Sequence, residues 1–454
     1  MIPMFDLDAF IRHAVTKRER SLLADDLARD DAALTERLGG KRVLVIGGAG
    51  SIGSQYIKAL LRFPVAKLVV VDTNENGLTE LVRDLRSARE CSVPADFVTY
   101  PVNYSDRVFE KLFRAHAPFD VVANFAAHKH VRSEKDIFSI EAMIENNVLR
   151  ARRLLDLLAQ HPPEHFFCVS TDKAANPVNI MGASKKLMEE LILAYADRLP
   201  VKTARFANVA FSNGSLPLGF LDRLAKRQPW SCPLGIRRFF VSPIESGELC
   251  LIASILGESG DIIFPKLDEA RDMIAFEQVA VDLLHALGME PDICKSEEEA
   301  REKMEEVLKC GSSKVREFGE VLKCGSSKVR EFGEVESGEV LKFGSSKVRE
   351  FGEARKGERL LWPVYFFESD TSGEKAFEEF HTAEEKLDME RFVNLGVVKN
   401  AKRRTLGEVD AIFNELKELF KNQQVTKAEV VGVLKQYLPN FEHIEKGKGL
   451  DQKM

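Results

Sequence analysis

The 454-residue chain carries 65 Lys+Arg against 71 Asp+Glu, a formal net charge of −6, and 44% of its residues are hydrophobic. That balance excludes a basic nucleic-acid binder and is ordinary for a chain that buries a core. No stretch approaches the roughly 18 consecutive apolar residues of a membrane-spanning helix, and the acidic start does not read as a secretory signal, so a cytoplasmic protein with no membrane partner is expected.

In chain order, residues 1–39 set Phe10, Ile11 and Val15 at helical spacing among charges and close on Gly39-Gly40, which predicts a helical N-terminal extension. Over 40–200, apolar runs alternate with amphipathic stretches. RVLVI precedes a helix from Ser51, KLVVV a helix from Leu78, DVVANF a helix near Ile140, and HFFCV a helix after Gly182. Strands without polar alternation, each followed by a helical period, mark a parallel sheet covered on both faces. The predicted fold class is α/β, a doubly wound parallel sheet of the Rossmann type. Past Pro200, VKTARF reads as a strand, and PLGFLDRLAKR and ESGELCLIASIL read as helices between loops rich in Pro and Gly. Residues 201–303 and 358–400 are assigned to a smaller substrate-binding lobe. Between them, residues 304–357 hold three copies of a 14-residue unit, VLKCGSSKVREFGE at 307–320 and 321–334 and again at 340–353, where Phe343 replaces the cysteine of Cys310 and Cys324. Two glycines and a GSS break in each copy favour an exposed insertion over an organised repeat module. Residues 401–454, with Ile412, Leu416, Leu419 and Phe420 at helical spacing, read as a helical tail.

The sharpest local signal is GGAGSIG at 47–53, directly after a strand and opening a helix. Gly47, Gly50 and Gly53 allow a tight turn, close approach to a pyrophosphate and close helix packing, while Ser51 and Ile52 open the helix whose free amides face the anion. Asp72 ends the next strand nineteen residues after Gly53, where a carboxylate accepts ribose hydroxyls and repels a 2′-phosphate, so NAD is expected over NADP. A merely structural glycine turn is the alternative. Ser170-Thr171-Asp172-Lys173 follows HFFCV, and Lys185 stands twelve residues beyond Lys173. At a strand's carboxyl end these bring a hydroxyl, a carboxylate and amines to the ligand crevice; a helix cap with surface lysines is the alternative. The 7 cysteines include no CxxC pair, and His128 and His130 lack a carboxylate at ligand spacing, so reduced thiols and no metal are expected.

GGAGSIG, NFAAHKHVRSEKD, STDKAANPVNIMGASK, RFANVAFSNGS, RRFF and SGEKAFEEF, in this order, resemble the extended short-chain dehydrogenase/reductases that dehydrate nucleotide sugars. Within them the sequence is most similar to the soluble UDP-N-acetylglucosamine 4,6-dehydratases of bacterial surface-sugar biosynthesis, over about residues 40–300 and 360–400. The resemblance implies a redox-neutral reaction: hydride leaves sugar carbon 4 for NAD, water is eliminated across carbons 5 and 6, and hydride returns to carbon 6. It implies Asp172 as acid toward the leaving hydroxyl and Lys173 as base, an uncharged amine whose pKa is lowered by burial beside the nicotinamide. Thr171 would hydrogen-bond the sugar, and Lys185 would hold the nicotinamide ribose. Met181 stands where the wider superfamily has tyrosine, which implies the branch that retains configuration at carbon 5 and leaves the acceptor of the carbon 4 hydroxyl proton open. Asn103, Ala126 and Ala127 would join the cofactor site, and Lys129, Asn208, Arg238 and Glu374 the UDP-sugar site. A homo-oligomer is expected. An NAD-dependent epimerase shares the fold without needing the Asp-Lys pair, and a non-catalytic dinucleotide sensor is the reading from another class.

Overall fold

In the computed structural model, which describes residues 5–129, 134, 136–309, 360–369, 378–399 and 401–444, the four apolar runs all become buried strands. The chain opens with α1 (Leu7–Phe10), continued by a π turn over Ile11–Val15, and α2 (Ala24–Leu38). It then alternates β1 (Arg42–Ile46), α3 (Ser51–Leu60), β2 (Lys67–Asp72), α4 (Glu75–Ser87), β3 (Asp96–Pro101), α5 (Arg107–His116) and β4 (Val121–Asn124). Next come α6 (Ile137–Ile144), α7 (Arg150–Gln160), β5 (His165–Val169), α8 (Ile180–Ala194) and β6 (Val201–Ala204). The following stretch adds β7 (Asn208–Val209), α9 (Leu216–Ala225), β8 (Trp230–Leu234), β9 (Arg237–Val241), α10 (Pro243–Leu256), β10 (Ile262–Pro265) and α11 (Glu269–Asp272). After these run β11 (Met273–Ala275), α12 (Phe276–Ala286), β12 (Met289–Cys294), α13 (Glu297–Lys309), β13 (Leu360–Glu368), β14 (Lys386–Asp388) and β15 (Leu395–Lys399). The described chain ends with α14 (Leu406–Lys421) and α15 (Lys427–Tyr437).

Nine strands form one sheet in the order β14-β15-β10-β6-β5-β4-β1-β2-β3, parallel from β10 to β3, with β15 and β14 added antiparallel. From β1 the chain builds outward through β2 and β3, then crosses back to β4 and builds the other way. That reversal leaves a crevice beyond the carboxyl ends of β1 and β4, the place where open α/β sheets bind ligands. Successive strand residues face opposite sides. Val43 and Val45 enter the core beneath α2, α3 and α10, while Leu44 and Ile46 enter the core beneath α5 to α8. Each fully buried aliphatic side chain contributes about 1.5–3 kcal/mol, so these two layers hold the sheet that carries the crevice.

Both terminal extensions are helical and packed. α14 and α15 set Ile412, Phe413, Leu416, Val430 and Leu434 into the core beneath α8. Arg18, between α1 and α2, grips both oxygens of Glu245 at 2.8 Å, and the same carboxylate accepts the Ser242 amide in the capping box of α10.

The sheet extends past the lobe boundary drawn at residue 200: β6, β10, β14 and β15 all come from residues assigned to the lobe. These strands are short and separated by helices and loops, so their patterns carry no sign of the sheet they join. The lobe proper holds two three-stranded sheets, β11-β9-β7 and β12-β13-β8. The sequence reading passes over β3, a half-buried edge strand that ends in Pro101, and places two helix starts late. Asn74 caps α4 ahead of Leu78, and Asn179 caps α8, leaving Gly182 in its first turn. The repeats lie outside the described residues apart from Val307, Leu308 and Lys309, which close α13. No helix among the described residues is long and apolar enough to cross a membrane.

Candidate active site

Gly47 leaves β1 with φ +77°, a left-handed conformation that glycine adopts without strain. A Cβ there would stand 2.6 Å from the Ala126 amide, so β4 approaches the loop across the crevice as closely as bare backbone allows. A Cβ on Gly53 would meet the Gly47 carbonyl at 2.2 Å, because α3 sits directly on the loop. Gly50, which caps the N-terminus of α3, differs: a Cβ there would meet the Gly47 carbonyl at 3.4 Å, an ordinary contact that moves no backbone. The Ser51 hydroxyl accepts the Asn213 amide at 2.9 Å and ties the loop to the segment after β7. Asp72, at the end of β2, accepts the Ala49 and Asn74 amides at 2.9 Å each, one per oxygen. Asn103, after β3, takes both the amide and hydroxyl of Ser105.

Beside this loop lies a cavity of about 230 Å³. Ile52, Ala127, Lys129, Thr171, Asp172, Lys173, Met181, Lys185 and Asn208 line it, so residues far apart in sequence meet at one crevice. Thr171 donates its hydroxyl to Asp172 Oδ1 at 2.6 Å, and the same oxygen accepts the Lys173 amide at 2.9 Å and the Lys173 ammonium at 3.2 Å. Lys185, buried on α8, donates to the Val169 carbonyl at 2.7 Å, and burial pushes its pKa down. Met181 is buried and its amide donates to Glu134 Oε1 at 2.9 Å. Asn208 donates to the Phe239 carbonyl at 3.4 Å.

Burial does pull the Lys173 pKa down, but Asp172 and Glu378 outweigh it and the net direction is up. The cause is geometric: Lys173 Nζ sits 3.2 Å from Asp172 Oδ1 and 3.2 Å from Glu378 Oε1, between two carboxylates. In the ligand-free protein this lysine is therefore held as an ammonium, not as the free amine.

Glu378 was not singled out in the sequence, although it stands in SGEKAFEEF; Glu374 of the same motif lies outside the described residues. Arg238 joins the cluster through Glu378, with Nε 3.7 Å from Oε1, and donates to the Arg237 carbonyl at 2.8 Å. Three further polar residues organise the site from behind. Asn147 pins the HKH segment by bonding the backbone of His128 at 2.8 and 2.9 Å and Ser184 at 3.1 Å. Glu189, fully buried, takes the Ser170 hydroxyl at 2.6 Å and Arg205 in two bonds. Their signal in sequence is weak, since their partners lie far along the chain and no spacing rule connects them.

Residues 43–321 match the family described as polysaccharide biosynthesis protein. The chain belongs to this family. An uncharacterized membrane protein of Methanocaldococcus jannaschii is 34% identical over 259 residues, 56% of this chain and 74% of that one. The probable polysaccharide biosynthesis protein EpsC of Bacillus subtilis is 27% identical over 297 residues, 63% of this chain but only 48% of the relative's length. A UDP-N-acetylglucosamine 4,6-dehydratase (inverting) of Campylobacter jejuni is 27% identical over 258 residues, 55% of this chain and 71% of that one. Among solved structures, Pen from Bacillus thuringiensis superposes with a TM-score of 0.55 at 16% identity, over 84% of this chain and 99% of that one, a likeness of fold.

Proposed function

We propose that this member of the polysaccharide biosynthesis protein family dehydrates UDP-N-acetylglucosamine to the UDP-2-acetamido-2,6-dideoxy-4-hexulose, with NAD as cofactor and retention at carbon 5. The observation that carries this reading is the contact of Asp172 with Lys173 at 3.2 Å in a cavity that also presents Thr171, Lys185 and Met181. An epimerase that returns hydride to carbon 4 has no use for such a pair. The named Campylobacter relative supports the substrate class.

The glycine loop fits a dinucleotide. The side-chain-free backbone of the loop and the N-terminus of α3 suit a pyrophosphate, and the two amides bonded to Asp72 leave its carboxylate further lone pairs for ribose hydroxyls. Gly47, Gly50, Ser51, Ile52, Gly53, Asp72, Asn103, Ala126, Ala127 and Lys185 would hold the cofactor. Bound there, NAD supplies hydride acceptance at carbon 4 and hydride return at carbon 6. Alanine at two glycines separates fold from binding. Gly53→Ala, which forces backbone apart, should cost about 1–3 kcal/mol of stability, whereas Gly50→Ala should melt like the parent and lose NAD. Thermal denaturation with and without NAD reads both, and a Gly50→Ala protein that keeps NAD tightly would place the cofactor elsewhere.

The elimination needs an acid and a base together. One proton moved from Lys173 Nζ to Asp172 Oδ2, 3.4 Å away, breaking an N–H bond and forming an O–H bond, converts the ion pair into a carboxylic acid and a free amine. The amine takes the carbon 5 proton and the acid protonates the departing carbon 6 hydroxyl. Thr171 orients the acid, Lys129 and Asn208 face the sugar, and Arg238 pairs with diphosphate oxygens. The Met181 thioether has no proton to give, so carbon 5 is reprotonated from the Lys173 side and its configuration is kept. Purified protein with UDP-N-acetylglucosamine in heavy water should yield a product lighter by one water, with deuterium at carbon 5 and the xylo configuration in proton NMR of the fresh product. Unchanged mass with a new isomer would identify an epimerase, an arabino first product an inverting enzyme, and no turnover a sensor.

A further inference from the structure

Glu378 reaches the site from far along the chain, on a segment that follows β13, and the fold secures that segment with care. Arg205, fully buried, donates to the Phe380 carbonyl at 2.9 Å and to both oxygens of Glu385 at 2.8 and 2.9 Å. The Phe380 ring packs 5.3 Å from Phe239 and 6.3 Å from Phe264, and Glu379 accepts the Asn176 amide group at 2.9 Å. The anchored segment aims one buried carboxylate, 5% exposed, at Lys173. Such burial costs free energy unless the charge is paired, and the pairing here is with the amine beside the candidate acid.

We propose that Glu378 is a positioning residue for the proton transfer, holding the Lys173 amine toward the cavity and stabilising the ammonium that forms as Lys173 takes the carbon 5 proton. This rests on the dehydratase reading and adds a third member to it: an acid, Asp172, a base, Lys173, and a carboxylate behind the base. The charged groups facing the amine are Asp172 on its own loop, Glu378 on the anchored segment, and Arg238 on β9, which also faces Glu378. Lys129 and Lys185 share the cavity. Asp172 Oδ1 is occupied by Thr171 and the Lys173 amide, which leaves Oδ2 as the oxygen that can exchange a proton with Lys173 and the substrate. Glu378 makes ion pairs with Lys173 and Arg238, an arrangement suited to steadying a cation. Burial and the nearby Asp172 charge push the Glu378 pKa up, and Lys173 and Arg238 are the groups that pull against them.

The sign of the effect follows. Without the Glu378 charge, burial acts on Lys173 against Asp172 alone, the amine holds its proton less tightly, and it becomes both more available at low pH and a weaker base. Glu378→Gln should therefore move the acidic limb of the kcat–pH profile down by about 1–3 pH units and lower the plateau kcat by about 10–10²-fold with KM little changed. Glu378→Asp, which keeps the charge, should restore the limb in part. Competitive acetylation of ligand-free protein by acetic anhydride across pH, read at the Lys173 peptide by mass spectrometry, should show half-labelling at lower pH in Glu378→Gln. Coincident labelling curves and coincident limbs in parent and variant would overturn the inference while turnover by the parent leaves the dehydratase standing. A shifted labelling curve in a parent protein that does not dehydrate the sugar would remove the dehydratase reading and the catalytic use of the contact, and would retain only the hold of Glu378 on Lys173.

Discussion

Asp172→Asn should lower turnover of UDP-N-acetylglucosamine by about 10²–10⁴-fold, the range that a positioned acid or base contributes. Asparagine keeps the shape of the residue and an oxygen to accept from Thr171 and from the Lys173 amide, so the loop after β5 should stay folded. It cannot take and deliver a proton. The substitution also removes one of the two carboxylates beside Lys173, so the ammonium is held less tightly and the amine becomes free at lower pH. A rate lost for want of the acid would stay low at every pH, whereas a rate limited only by freeing the base would recover in the variant. Measuring kcat across pH, with thermal denaturation as the control for folding, separates the two. Near-parental turnover at any pH would take Asp172 out of the mechanism and move the chemistry toward carbon 4 alone, as in an epimerase.

What the sequence makes legible follows from how local each signal is. The strand cores RVLVI, KLVVV and HFFCV are continuous apolar runs because both faces of the sheet are covered, and each run is readable in isolation. The glycine loop is readable because its constraints lie within seven residues, and the structure shows two of them as contacts a Cβ would violate. β6, β10 and β15 were not placed in the sheet, since strands of four or five residues between loops give no partner or direction. In the site, Asp172 and Lys173 are adjacent in sequence and were found together. Glu378 is more than 200 positions away, brought to Lys173 by the Arg205 anchor, and no spacing rule connects them. The direction of the Lys173 pKa in the protein without cofactor is illegible for the same reason: Asp172 adjoins it in sequence, Glu378 does not, and the two carboxylates together outweigh burial.

The same anchor makes Arg205→Met the costliest single change expected for the fold. Arg205 and Glu189 both have no exposed side-chain surface and are joined at 2.9 Å, with Glu385 on the other side of the guanidinium at 2.8 Å. Burial alone would push the Glu189 carboxyl up, but Arg205, Lys186 and the Ser170 hydroxyl hold it down at about 2. Removing one partner of a buried pair leaves an uncompensated charge and costs about 3–5 kcal/mol. The pH dependence should invert with it. In the parent, the Glu189 contribution is present above the ordinary carboxylate range and fades only as pH falls toward about 2. In Arg205→Met, only Lys186 at 3.6 Å and the Ser170 hydroxyl oppose the burial of Glu189, so its folded pKa should rise above the unfolded one, and the penalty should grow as pH rises through that folded value. The stability gap between parent and variant should therefore be widest at neutral pH and narrow on acidification toward about pH 4. Denaturant unfolding at several pH values reads this directly, and a gap that is constant across pH would show that lost packing, not the stranded Glu189 charge, sets the cost. Adding Glu189→Gln to Arg205→Met should recover part of the loss at neutral pH. It should not recover turnover, because the bonds from Arg205 to Phe380 and Glu385, which hold Glu378 against Lys173, remain broken.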